Sequence, residues 1–229
     1  MYNYKQGESR LALLNRKSLQ LKKKINLITA TNQNCKISEQ YRTIRTNFLS
    51  SLNCINSRTI IITSPGHDEG KSTTAVNFAI SLAQQGKKVL LIDADLRNPI
   101  LHYSFKMENS IGLSNVLSGN LLLEDSIYRS GIRDLDLLTS GPIPFNPAEL
   151  LGSEVMGKLI ETVSGQYDVV LFDTPPVLEV SDAKIIANQC DGVILVVRYG
   201  KTKNEQAIEV KKFLESSKAN LLGTIINNK

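Results

Sequence analysis

The sequence predicts an α/β protein with a mostly parallel β-sheet flanked by helices on both faces. Three observations carry this. From Arg58 onward, short apolar runs alternate with longer amphipathic stretches. Most of the runs are rich in Val, Ile and Leu without polar alternation, as strands buried on both faces require. The intervening stretches are long enough to be helical crossovers, which parallel strands need. With 229 residues, 41% hydrophobic and 21% charged, the chain reads as one folded domain with a small appendage, not as a disordered or fibrous protein.

The elements come in this order. Residues 38–52 read as a helix, with Ser38 as its N-cap. Strands are predicted over 59–63, 88–92, 135–139, 168–172, 193–197 and 221–226. Helices are predicted over 71–85, 147–163, 180–189 and 203–217. Pro147 suits a first helical turn, where its missing N–H has no partner to lose. No internal repeat or low-complexity segment interrupts the pattern. No run approaches the ~20 apolar residues of a membrane helix, and the polar residues through Arg10 give no secretory-signal core. Cys35, Cys54 and Cys190 are widely spaced and odd in number, which excludes a disulfide scaffold or a cysteine zinc site and favours a reducing compartment.

Charge is unevenly spread. Residues 1–35 form a basic leader with seven basic residues and one acid, a net +6 against +5 for the whole chain. Residues 36–229 are therefore near neutral and form the globular domain. Such a leader suits an acidic partner, a lipid headgroup surface, nucleic acid or simply a solvated tail. With no helix-turn-helix or zinc signature, no nucleic-acid partner is expected.

Residues 59–73 read as strand, turn-forming loop and helix start, ending in Gly70-Lys71-Ser72-Thr73. In that context, consecutive backbone N–H groups at the helix N-terminus converge on phosphates, and the helix dipole favours negative charge there. Gly70 permits close backbone approach. Lys71 is placed to reach the β- and γ-phosphates, Ser72 to ligate Mg²⁺, and Thr73 to donate to the α-phosphate. Gly66, Asp68 and Glu69 of the same loop join them as nucleotide-binding candidates. The strict spacing would put glycine at position 65, where this chain has Pro65.

Two further motifs end apolar strands: Ile92-Asp93-Ala-Asp95-Leu-Arg97 and Phe172-Asp173-Thr-Pro-Pro176. Ligands of open parallel sheets sit beyond the carboxyl ends of the strands, so these motifs share a rim with the phosphate loop. Carboxylates gathered there need a cation, which Mg²⁺–ATP supplies. Asp173 is the expected metal partner, with Asp95 as a second metal candidate. Asp93 and Asp95, two residues apart, would share a face of an extended strand. One would hold a metal water while the other accepts a proton from an attacking hydroxyl, and spacing alone does not divide the roles. Arg97 is a candidate for stabilising transferred charge, against a surface salt bridge as the plainer alternative. Asn227, after the last strand, is a weak candidate for an adenine contact or a cap.

Together these three motifs resemble those of the bacterial tyrosine kinases of capsule and exopolysaccharide loci, from about Glu39 to the C-terminus. The Asp-x-Asp-x-Arg element is the distinguishing one. The resemblance implies a phosphate-loop NTPase fold, ATP and Mg²⁺ as cofactors, and tyrosine as the phosphoacceptor. It makes Lys71, Asp93, Asp95 and Arg97 the catalytic set. Glu39-Gln-Tyr-Arg42-Thr-Ile-Arg45 fits the family's oligomerisation motif, implying that this helical ridge docks on a neighbouring subunit, with a closed ring as one form. Soluble members from Gram-positive bacteria work with a separate transmembrane activator, which would place this chain in the cytoplasm at the inner membrane face. Many members end in a tyrosine cluster, whereas no tyrosine follows Tyr199 here. The expectation is that either the acceptor tail is missing from this chain or other sites or other proteins are phosphorylated, with Tyr2, Tyr4 and Tyr41 the tyrosines near the ridge. Two rival readings stay open: a switch ATPase of the chromosome-partition and septum-placement type, and an ATP-binding regulatory scaffold with little kinase activity. The first carries a second lysine early in the loop, which 65–69 lack.

Overall fold

The computed structural model describes residues 25–55, 58–215 and 220–228. Six strands run parallel in one sheet: β1 (Thr59–Thr63), β2 (Val89–Asp93), β4 (Leu135–Leu138), β5 (Val169–Asp173), β6 (Gly192–Arg198) and β7 (Asn220–Asn227). A two-residue β3 (Tyr128–Arg129) pairs antiparallel with β4, giving the order β3-β4-β2-β5-β1-β6-β7. All residues of β1, β2 and β5 are buried. Alternate residues feed two cores, Ile60 and Ile62 on one face and Ile61 on the other. That two-sided burial is why no polar alternation marks these strands.

One face is covered by α1 (Ile28–Thr31), α2 (Lys36–Ile55), α3 (Lys71–Ala83) and α4 (Leu101–Ser104). On the other lie α5 (Leu113–Leu117), α6 (Leu123–Ser126), α7 (Pro147–Leu151), α8 (Glu154–Gln166), α9 (Asp182–Ala187) and α10 (Asn204–Glu215). In the register of the central strands, Asp93 lies opposite Asp173, and Ile62 also pairs with Asp173. The carboxyl ends of β1, β2 and β5 are thus level, and the loops leaving these strands gather at one rim.

Three local expectations differ. The helix expected over 147–163 is two helices, because Ser153 accepts the Met156 N–H at 3.3 Å and restarts the chain as an N-cap. Ser38 is not the N-cap of α2. It lies inside the first turn and donates its hydroxyl to the Asn32 carbonyl at 2.6 Å, while Cys35 O accepts the Glu39 N–H. Residues 25–31, grouped with the basic leader by charge, pack into the body. The buried Asn77 amide accepts from Thr29 N and Thr29 Oγ1 and donates to Asn26 O, fastening this segment onto α3. The leader's basic residues themselves lie outside the described residues, as do Tyr2 and Tyr4.

Candidate active site

β1 ends at Thr63, and the loop after it enters α3 at Lys71. Gly70 has φ +93°, and a Cβ there would lie 2.1 Å from Asn227 Nδ2. Both the backbone conformation and the contact demand glycine. Gly70→Ala is expected to cost about 1–2 kcal/mol through the left-handed backbone alone, to displace Asn227, and to weaken ATP binding; a melting curve and an ATP titration check both. Asp68 is also left-handed, at φ 56°, which aspartate tolerates better than most residues.

Glu69 is 2% exposed and its carboxylate faces inward. It accepts from Gly66 N at 3.2 Å and from Thr202 Oγ1 at 2.8 Å, while Asn227 Nδ2 donates to the Glu69 carbonyl at 3.0 Å. Glu69 therefore shapes the loop through its side chain. Gly66 takes part through its backbone, its carbonyl accepting from Ser64 Oγ.

Lys71 projects toward the two acidic strand ends. Its Nζ donates to Asp95 Oδ2 at 2.9 Å and lies 3.7 Å from Asp173 Oδ1, an ion pair without a hydrogen bond. Burial works against the Lys71 charge, but Asp173, Asp95 and Asp93 outweigh it and hold its pKa above the ordinary lysine value. Asp173 is fully buried, and neither of its carboxylate oxygens has a hydrogen-bond partner of good geometry. Burial pushes its carboxyl up to about 6 against the opposing pull of Lys71 and the nearby Ser72 hydroxyl.

Asp93 ends β2, and Asp95 lies outside the strand, so the two do not share a strand face as their spacing suggested. Asp93 Oδ2 accepts the N–H groups of Ile100 and Leu101 at 3.2 and 3.0 Å, capping α4, and its Oδ1 is buried without a partner. Its pKa stands well above the usual carboxylate range, through burial first and then the neighbouring Asp173. Asp95 divides its oxygens between Lys71 and the Asn98 N–H.

Arg97 turns elsewhere. Its Nε and Nη2 grip the two oxygens of fully buried Asp182 at 2.8 and 2.9 Å, joining the β2–α4 loop to the start of α9. Its charge is balanced there by a buried partner.

A cleft of about 690 Å³ lies over the loop, lined by Gly70, Lys71, Ser72, Thr73 and Asp95, together with Arg198 and Asn227 from the ends of β6 and β7. Asp68 also lines it, as does Tyr41 of α2. Arg198 carried no sequence signal, because an arginine ending an apolar strand looks like any solvated strand end. On α2, Glu39 and Arg42 pair within the helix, and Arg42 Nη2 donates to Gln33 O. Arg45 instead reaches α3, donating to Ser81 O at 2.6 Å, so the three charges do not form one free ridge.

A glycine-led helix N-terminus, a lysine bridging two acidic strand ends, and buried carboxylate oxygens lacking partners define a nucleotide-binding protein of the phosphate-loop class. The sequence model of the AAA domain family matches residues 57–221. A tyrosine-protein kinase of Bacillus subtilis is 50% identical over 89% of this chain and 86% of its own length. The kinase domain of an Escherichia coli tyrosine kinase superposes with a TM-score of 0.86 at 33% identity, covering 90% of this chain and 81% of that one. The septum site-determining protein MinD of Pyrococcus horikoshii, complexed with Mg-ADP, superposes at 0.64 with 27% identity over 74% and 70%. The chain belongs to the bacterial tyrosine-protein kinase family, within the AAA domain fold.

Proposed function

We propose that this chain transfers the γ-phosphoryl group of ATP to tyrosine hydroxyls, with Mg²⁺, in the control of capsular or exopolysaccharide synthesis. One observation carries the reading: Lys71, Ser72, Asp95 and Asp173 converge above a loop built to receive phosphates, with the Asp173 oxygens unpartnered. Buried carboxylate oxygens without donors fit a hard divalent cation, which binds through oxygen ligands. Ser72 and Asp173 would hold it, with Asp95 alongside, and when bound it neutralises charge on the β- and γ-phosphate oxygens. Lys71 orients the terminal phosphate. Asp95, which lines the cleft, keeps Lys71 in place and is the carboxylate an acceptor hydroxyl can reach, whereas Asp93 is fully buried with Oδ1 unpartnered and stands by for a metal water. The Asn227 amide is bound to the loop carbonyl, so its part in nucleotide binding is to brace the loop.

Tyr41 is half-buried and its hydroxyl pKa is raised by burial, which favours packing over an acceptor role. The test is mass spectrometry of tyrosines after incubation with ATP and Mg²⁺, with and without the cytoplasmic tail of a transmembrane activator. Phosphotyrosine formation supports the kinase reading. ADP formation without it favours the switch ATPase. Unchanged cell-surface polysaccharide in a catalytically dead strain favours the scaffold.

The membrane activator, a place at the inner membrane face and a homo-oligomer rest on the family resemblance; among the described residues no helix is long and apolar enough to cross a membrane. Because Arg45 is already engaged on α3, docking on a neighbour would draw on the partly exposed Glu39–Arg42 pair. Changing Arg42 and Arg45 together to alanine is expected to give monomers in size-exclusion chromatography. An unchanged elution volume would remove the oligomerisation reading.

A further inference from the structure

Arg198 ends β6 and lines the same cleft as Lys71. Its Nη1 donates to the Asp68 carbonyl of the phosphate loop at 3.0 Å, and its backbone N–H donates to Thr202 Oγ1 at 2.9 Å. The guanidinium therefore rests on a neutral dipole. Among the described residues, no carboxylate lies within ion-pair distance of it.

The other basic groups nearby are differently placed. Lys71 is balanced by Asp95 and Asp173, Arg97 by Asp182, and His67 pairs with Glu179, while Lys201, which donates to the His67 carbonyl, does not line the cleft. Beneath the cleft, three buried carboxylates face one ammonium, so that side repels a polyphosphate until a metal binds. Arg198 approaches the cleft from β6, a different element, with charge uncompensated and most of its five donors open. A planar guanidinium grips phosphate oxygens two at a time, and such charge-assisted bonds are the stronger kind.

We propose that Arg198 is a nucleotide-binding residue that holds the polyphosphate of ATP from the β6 side, opposite the acidic strand ends. This deepens the kinase reading and rests on it only in taking ATP as the ligand. The Asp68 contact makes Arg198 a reporter of loop shape as well, so the test must separate charge from bracing.

Arg198→Gln keeps a donor for the Asp68 carbonyl and removes the charge, whereas Arg198→Lys keeps the charge. Calorimetric titration of the full chain with ATP–Mg²⁺ is expected to show roughly a 10- to 100-fold weaker Kd for Arg198→Gln, the range for losing one charge-assisted contact. Arg198→Lys should recover most of it. AMP, measured by displacement of a fluorescent ATP analogue, should lose much less than ATP. An unchanged ATP affinity in Arg198→Gln would overturn the inference, as would equal losses for ATP and AMP or an Arg198→Lys variant as weak as Arg198→Gln. A wild-type chain that binds ATP but makes no phosphotyrosine sinks the kinase reading and leaves this inference standing.

Discussion

Lys71→Met is expected to reduce tyrosine phosphorylation by at least ~10²–10³-fold, the scale for removing one preorganised group that faces developing charge. Methionine keeps the unbranched stem in its packed environment but deletes the ammonium set among Asp93, Asp95 and Asp173. Two consequences should appear together. The terminal phosphate loses its charged contact, and the three carboxylates lose the cation that offsets their mutual repulsion. Initial rates of phosphotyrosine formation at saturating ATP–Mg²⁺ check this, with circular dichroism confirming the fold. A variant within about threefold of wild type, far inside that range, would show that Lys71 plays no part in phosphoryl transfer.

Asp173→Asn should separate activity from stability. Phosphoryl transfer is expected to fall below detection, since the metal loses its anchor at the end of β5. The nucleotide-free protein should nevertheless be at least as stable as wild type at pH 7, because burial of the ionised carboxylate outweighs the pull of Lys71 and Ser72 on it. The pH dependence comes from the folded pKa of about 6, against an unfolded carboxyl near 3.9. Below about pH 4 both states hold the proton and the group contributes no pH slope. Between about 4 and 6 the folded state holds it more tightly, so wild-type stability falls as pH rises through that window and levels off above it. The full effect is of order 3 kcal/mol. Thermal unfolding of the nucleotide-free proteins should therefore show wild type gaining on Asp173→Asn when the pH is lowered from about 7 to about 5. Parallel profiles for the two would mean that Asp173 keeps an ordinary pKa.

The parallel sheet was readable because strands buried on both faces have no choice but continuous Val, Ile and Leu, as in 60–62 and 89–92. The candidate site was readable for a related reason: Asp93 and Asp173 end strands and Lys71 opens the helix after the loop, so each motif marks both an element boundary and the chemistry. The features that escaped depend on contacts distant in sequence. Nothing local says that Arg97 is held by Asp182, 85 residues later, or that Arg198 rests on the Asp68 carbonyl. The two-residue β3 is too short to carry a period. The break at 152–153 was hidden by an apolar pattern that continues across it, and only the Ser153 cap reveals it. Charge alone drew residues 25–31 into the leader, whereas a single buried amide, that of Asn77, binds them to the core.

The phosphate loop does not stand by its own sequence. Glu69 ties it to Thr202 beyond β6, and the Asn227 amide closes it from the end of β7, outside the stretch matched by the family model. A protein shortened by its final strand would still display every letter of the nucleotide signature, yet the cradle those letters describe would have lost one of the contacts that prop it from distant elements. The binding motif is accordingly a property of both halves of the polypeptide, finished only when the last strand is laid down.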